Sequence, residues 1–211
     1  DYSKNRINPI TNISSTVTYV NNLKIRKVKD FKVEPIQVSN LPQNPKIANI
    51  SWSPDDSKIA FNHTTSNGVE LWVIDVKEKK IIFNSLVAHG KGTGEEFAEK
   101  FSNRESSHQS SLGFYTTENT YEGDNGYSLK LEGLDTGYND AAYKRAIVMH
   151  GADYVSDEFA AMHKRIGRSW GCPAVPRELT QSIINTIKGK NCLFIYYPDQ
   201  NYLSSSEWLK A

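Results

Sequence analysis

The chain contains very little cysteine: of its 211 residues, only Cys172 and Cys192 are cysteines. Two cysteines without a C-x-x-C pattern exclude a disulfide scaffold, although a single bridge between them stays open as an alternative. Long apolar runs are also missing, because none approaches the roughly 20 residues that are needed to span a bilayer. We therefore expect a globular protein with no transmembrane segment.

An excess of charge of either sign is absent as well. The net charge is +1, with 23% of the residues charged and 38% hydrophobic, which leaves room for one large or two small globular domains. Lysine and arginine are spread along the chain rather than gathered between aromatic residues, which argues against nucleic acid as a partner. Residues 1–4 do not begin a basic and then apolar leader, so we expect either a cytoplasmic protein or one whose signal peptide has been removed.

Several common signatures of catalysis or binding are missing. No G-x-S-x-G elbow occurs, which excludes a serine peptidase of that class. The glycine-rich segment 89–94 lacks the Walker spacing and its Gly-Lys-Ser/Thr ending, so we interpret it as a structural or substrate-lining loop. His63, His108 and His163 show neither paired spacing nor nearby cysteines, so we expect no metal site.

The hydrophobic pattern is mostly that of β-strands. Residues 127–132 alternate between apolar and polar side chains, as a half-buried strand should. Continuous apolar runs at 146–149 and 192–197 predict central strands. Further strands are predicted at 50–56, where the strand runs into a turn, and at 58–61, 69–75, 80–88 and 112–117.

One helix is predicted, at about residues 176–188. Leu179, Ile183 and Ile187 repeat at helical spacing, and Gly189 follows as a C-cap. The fold class that we expect is therefore mainly β, with a single helix packed on a sheet.

The most informative motif is the segment 168–173, which contains Cys172 between Gly171 and Pro173. Glycine permits a positive φ and proline pushes the residue before it toward an extended geometry, so this turn is expected to present the sulfur. His150 closes an apolar run earlier in the chain, and an imidazole that takes the proton of a thiol makes a nucleophile. The alternative is that Cys172 is a small buried hydrophobe, as we expect for Cys192.

Four ordered blocks carry a resemblance to a known family: residues 81–90, 110–115, 148–152 and 167–174. Together they resemble a divergent branch of the murein L,D-transpeptidase catalytic domain, over about residues 71–197. The resemblance implies a β-sandwich with the packed helix, preceded by extra β-meander strands. It suggests a division into an N-terminal segment at 1–70 and a catalytic domain at 71–211.

The resemblance also implies roles for individual residues. Cys172 matches the acylated nucleophile and His150 the general base, while Ser169 and Gly171 match the residues of the flanking turn. Trp170 and Ala174 depart from the family, which commonly has His at the first position and Arg or Asn at the second. Trp170 is a candidate for substrate contact. Arg168 belongs either to a solvated face or to a group that binds a substrate carboxylate or lowers the pKa of the thiol.

By the same resemblance, the activity is expected to be that of a peptidoglycan L,D-transpeptidase, which cross-links stem peptides through a cysteine thioester and needs no cofactor. An L,D-carboxypeptidase that uses water as the acceptor is an alternative. A non-catalytic binding module of the envelope is another, because of the departures at Trp170 and Ala174. The substrate implies a bacterial cell envelope, periplasmic or secreted, and the oligomeric state stays open.

Residues 6–75 resemble part of the propeller of dipeptidyl-peptidase-IV-like serine peptidases, most clearly at 47–75. No further copy of the S-W-S-P-D pattern follows, so a complete propeller is excluded. The segment is either a fusion or a set of strands that completes the sheet of the enzyme. We favour the second interpretation, because a lone blade would leave apolar edges exposed.

Overall fold

The structure is a computed structural model, and it describes residues 23–25, 36–38, 58–65 and 68–209. The strands are β1 (Leu23–Ile25), β2 (Ile36–Val38), β3 (Lys58–Thr65), β4 (Gly68–Asp75), β5 (Lys80–Leu86), β6 (Gly113–Gly123), β7 (Gly126–Gly133), β8 (Val148–Ala152), β9 (Ala174–Pro176) and β10 (Cys192–Ile195). The helices are α1 (Asp157–His163), α2 (Arg177–Ile187) and α3 (Gln200–Ser205). The strand and turn predicted at 50–56, and most of the propeller-like residues, lie outside the described residues.

Eight of the described strands form one sheet in the order β5-β4-β3-β10-β6-β7-β8-β9, and β1 pairs with β2 separately. β10 is parallel to β3 and antiparallel to β6, so it lies in the middle of the sheet. The domain boundary that the resemblance suggests near residue 70 falls inside β4. β3 and β4 are therefore integral to the sheet that carries the later strands.

The two ends of this sheet meet. Ala88, just after β5, exchanges two backbone hydrogen bonds with Ala174 at the start of β9, with N···O distances of 2.8 and 3.2 Å. β9 is consequently bonded on one side to β8 and on the other to the segment that follows β5. The segment that contains Cys172 leads directly into this closure.

The centre of the sheet is buried on both faces, since neighbouring residues of β6 and β10 point to opposite sides and pack into two core clusters. Tyr115 and Leu193 pack in the core cluster on one face. Phe114 and Phe194 stack in the cluster on the other face, with ring centroids 4.0 Å apart. Full burial of each of these large side chains contributes about 2–3 kcal/mol, and it fixes the register of β6 and β10.

The mainly β fold and the helix predicted at about 176–188 are confirmed, the helix as α2. Its buried residues are Thr180, Ile183, Ile184 and Ile187, and Gly189 follows it with a φ of 81°. Two short helices, α1 and α3, were not predicted. They start at side-chain caps from Ser156 and Asp199 and span too few turns to give an apolar period.

The strand predicted at 146–149 begins later than expected. Ala146 has a φ of 54°, which is incompatible with an extended strand, and β8 therefore starts at Val148 and runs to Ala152. All five of its residues are buried. This shift places His150 in the middle of the strand.

A buried carboxylate holds the C-terminal part of the chain against the sheet, and its removal should destabilise the fold. Asp135 accepts hydrogen bonds from Phe114 N at 2.7 Å, Tyr202 Oη at 3.2 Å and Ser206 Oγ at 2.6 Å. Asp135→Ala would leave these buried donors unpaired, so we expect it to lower the free energy of unfolding by about 3 kcal/mol. Urea unfolding measures the loss, and Asp124→Ala, in an exposed hairpin turn, is the control. Equal stabilities of the two variants would contradict this role.

Candidate active site

The parallel pairing of β8 and β9 brings the proposed nucleophile beside the strand of the proposed base. His150 pairs with Ala174, and its backbone N–H donates to Pro173 O at 3.4 Å. The Cys172 sulfur accepts from Val148 N at 3.5 Å, and its thiol lies 3.8 Å from Ala146 O. Val148 and His150 are two residues apart on one strand, about 7 Å along it. The sulfur therefore lies against the segment that carries the imidazole.

The turn that presents Cys172 is held by the side chain of Ser169. Gly171 N donates to Ser169 Oγ at 3.0 Å, and this hydroxyl donates to Cys172 O at 2.6 Å. Gly171 has a φ of 124°, and a Cβ there would lie 2.7 Å from Gln109 O. Glycine is thus required both by the backbone conformation and by the close approach of the loop around residue 109.

Of the two backbone amides at this turn, those of Gly171 and Cys172, only one has no hydrogen-bond partner within the described residues. Gly171 N is bonded to Ser169 Oγ. Cys172 N has no hydrogen-bond partner within the described part of the chain. If Cys172 is the nucleophile, its own backbone N–H is therefore the amide that is free to donate to an oxyanion.

One ring nitrogen of His150, the proposed base, is engaged by the backbone. Its side chain is buried, and Nδ1 lies 3.0 Å from the carbonyl oxygen of Gly151. A proton on Nδ1 donates to that oxygen and leaves Nε2 as an acceptor. Burial lowers the pKa of His150, and the charge of Arg177 lowers it further, although the Gly151 carbonyl opposes both effects. The imidazole is therefore neutral at neutral pH.

Cys172 and Cys192 are both free thiols, so the bridge between them is not formed. Burial raises the pKa of Cys172, while the Val148 amide and the charge of Arg145 act in the opposite direction. Burial raises the pKa of Cys192 to about 12, and this residue lies in the core, as expected. Because the Cys172 thiol is protonated at rest, its reactivity depends on a base.

Arg145 is a residue of the site that the sequence did not single out. Its guanidinium donates to Ser102 O and Ser111 Oγ through one nitrogen and to Ser107 Oγ and Gln109 O through the other, at 2.6–3.2 Å. These bonds fasten the 102–111 loop next to Gly171. A lone arginine at the start of an apolar run gives no signal of this role, because its partners lie far away in the chain.

The glycine-rich loop 89–94 packs directly on the turn of Cys172. Gly90 N donates to Ser110 Oγ at 3.1 Å, and that hydroxyl donates to Gly171 O at 3.2 Å. A Cβ on Gly90 would lie 2.9 Å from the Gly171 Cα. This loop therefore supports the site through backbone contacts that only glycine permits.

The remaining predicted residues differ in exposure. The side chain of Arg168 is only 19% exposed; it donates to Gly94 O at 2.8 Å and pairs with Glu95 at 2.9 Å. Trp170 is 70% exposed. Ala174 is fully buried between β8 and the segment after β5, so a long polar side chain would not fit at this position.

Within the described residues, no group of three or more His, Cys, Asp or Glu side chains could hold a metal ion. Nor does any helix in this part of the chain have the length and apolar character that would let it cross a membrane.

A sequence profile of the L,D-transpeptidase catalytic domain matches residues 55–196. The chain belongs to the L,D-transpeptidase family. The matched region contains every strand of the eight-stranded sheet as well as Cys172 and His150. Members of this family act on peptidoglycan peptides. No curated protein matches the chain at a significant level of similarity.

Several solved structures resemble this L,D-transpeptidase domain. An L,D-transpeptidase from Stackebrandtia nassauensis is 14% identical, with a TM-score of 0.41, over 69% of this chain and 58% of that one. The helical cell shape determining protein Pgp2 from Campylobacter jejuni is 16% identical, with a TM-score of 0.41, over 68% and 48%. An L,D-transpeptidase from Mycobacterium smegmatis is 8% identical, with a TM-score of 0.40, over 71% and 61%. The chain thus covers less than two thirds of each.

Proposed function

We propose that this protein is a peptidoglycan L,D-transpeptidase in which Cys172 is the nucleophile and His150 the general base. The observation that carries the proposal is the contact of the Cys172 sulfur with Val148 N, on the same strand as His150. The buried, neutral imidazole and the protonated thiol are the resting forms that general-base catalysis requires.

In the first half of the proposed reaction, His150 Nε2 takes the thiol proton and the sulfur attacks the carbonyl carbon at the L-centre of diaminopimelate. The Cys172 amide donates to the oxyanion that forms. The C–N bond to the terminal D-alanine then breaks, and the imidazolium gives its proton to the leaving amine. The peptide remains bound to Cys172 as a thioester.

In the second half, the side-chain amine of another stem peptide attacks the thioester carbon. A C–N bond forms and the C–S bond breaks, and the proton lost by the amine returns to the sulfur through His150. The product is a cross-link between the third residues of two stems. No step requires a cofactor or an external oxidant.

The other residues act by position in this proposal. Ser169 and Gly171 hold the turn of the nucleophile through the bonds described above. Arg168 anchors the 91–95 loop through Gly94 and Glu95, so we assign it a positioning role instead of contact with the substrate carboxylate. Trp170 is the residue that we assign to direct substrate contact. We also propose that the catalytic domain expected at 71–211 extends N-terminally to include β3 and the whole of β4, and that it acts in the bacterial cell envelope.

The products of one incubation test the proposed reaction. The protein is incubated with disaccharide tetrapeptide muropeptides, and the products are weighed by mass spectrometry. We expect a cross-linked dimer, formed with loss of one D-alanine. Tripeptide monomers alone would identify an L,D-carboxypeptidase, in which water resolves the thioester. Unchanged muropeptides would contradict both activities and favour a binding module.

A further inference from the structure

Three side chains from separate segments meet at Trp170, in the turn that carries Cys172. The imidazole of His108 stacks on the indole of Trp170, with ring centroids 5.1 Å apart and an interplanar angle of 20°. Lys91 Nζ lies 5.5 Å from the centroid of the same indole. We call Lys91, His108 and Trp170 the cationic ledge. Trp170 is two residues before Cys172, so the ledge includes a side chain of the turn that carries the proposed nucleophile.

Backbone hydrogen bonds hold the three segments of the ledge together. Lys91 N donates to Ser169 O at 2.8 Å, and Gly92 N donates to His108 O at 2.9 Å. The loop that carries His108 is fastened to Arg145 through Ser107 and Gln109, on either side of the histidine. The ledge is thus built on the same framework as the catalytic turn.

The backbone of His108 is held in an uncommon conformation. Its φ is 54°, in the left-handed region that non-glycine residues rarely adopt. Such conformations persist where the surrounding structure enforces them, and they cluster at sites of function. At His108 the conformation accompanies an imidazole that stacks on Trp170.

The side-chain nitrogens of Lys91 and His108 are unpartnered within the described part of the chain. Among residues 69–209, Lys91 Nζ makes no ion pair and the ring nitrogens of His108 make no hydrogen bond. Trp170 is 70% exposed, whereas Cys172, two residues later in the chain, is half-buried. An ammonium group and an N–H donor around an exposed indole suit a small anion attached to an apolar group, and a carboxylate is such an anion.

We propose that the cationic ledge binds the C-terminal carboxylate of the D-alanine that leaves during thioester formation. This inference rests on the proposed function. It adds the side chains that select a donor peptide with a free C-terminal carboxylate. The leaving residue is the part of the substrate next to the scissile bond, and Trp170 is carried by the same turn as the proposed nucleophile. Because the carboxylate departs with the D-alanine, the ledge acts on thioester formation and has no role in its resolution.

The test compares two donor peptides, the tetrapeptide stem with a free C-terminal carboxylate and the same peptide with a C-terminal amide. We expect the wild-type protein to prefer the free acid, measured as kcat/KM for release of D-alanine or its amide. Lys91→Met and His108→Gln should each lower kcat/KM for the acid by about fivefold and leave the amide unchanged, since the groups are exposed. Added salt should weaken the preference in the wild type.

Lys100→Met is the matched control, because Lys100 is also exposed but is not part of the ledge. It should keep the wild-type preference for the acid. Equal use of acid and amide by the wild type, or equal losses on both peptides in the variants, would overturn the assignment while leaving the proposed reaction intact. If neither peptide forms a thioester with the wild type, the proposed reaction itself is wrong. This result differs from the outcomes that overturn only the role of the cationic ledge.

Discussion

Replacement of Cys172 by alanine is expected to abolish thioester formation, because no other thiol lies beside β8. After incubation with a carbapenem, the wild-type protein should gain the mass of one adduct, and Cys172→Ala should gain none. Muropeptide turnover should disappear in the same variant. Intact-protein mass spectrometry measures the first result and chromatography of the muropeptides the second.

The second cysteine supplies the matched control. Cys192 is buried in β10, and burial raises its pKa to about 12, so its thiol is inert. Cys192→Ala should cost about 1 kcal/mol of stability through a small cavity and keep both the adduct and the turnover. An adduct that survives Cys172→Ala and disappears in Cys192→Ala would contradict the assignment of the nucleophile.

Replacement of His150 by glutamine is expected to slow the reaction with a carbapenem by about 10²–10⁴-fold at neutral pH, the usual contribution of a general base. The pH dependence of the rate of adduct formation shows whether His150 is the base. Burial lowers the pKa of His150 from its ordinary value of 6.5, so the neutral base persists to more acidic pH and the wild-type rate should fall only below that value. The rate of adduct formation, measured from pH 4 to 10 by mass spectrometry, gives both profiles.

In His150→Gln the fall in rate at acidic pH, which we call the acidic limb of the profile, should vanish. Its rate should instead rise in the alkaline range as the thiolate forms, because burial raises the pKa of Cys172 above its ordinary value of 9.0. His163→Gln, at the exposed end of α1, is the control and should keep the wild-type profile. An unchanged acidic limb in His150→Gln would assign the titration to another group.

Local pattern predicted much of the fold. The alternation in β7 and the helical period of α2 identified both elements, because their side chains face a core on one side. Pattern could not predict the short strand β9, whose residues are extended because they pair with β8 and Ala88. Its pairing comes from tertiary contacts that leave no periodic signal in three residues.

Some residues of the candidate site can also be identified from the sequence, whereas others cannot. Cys172 and Gly171 stand in a motif whose local chemistry can be read directly, and the positive φ of Gly171 is found as expected. Arg145, Ser110 and His108 could not be selected from the sequence. Their importance comes from contacts with residues of other loops, and a single sequence does not record such contacts.

The closure of the sheet between Ala88 and Ala174 limits how a peptide can reach the sulfur. An extended ligand often binds by adding a strand to an open edge, where unpaired amides and carbonyls are available. Beside Cys172 that edge is already occupied, since Ala174 bonds to Ala88 on one side and β8 lies on the other. A peptide ligand cannot add a strand at this position, so its recognition beside Cys172 would depend on side chains more than on backbone pairing.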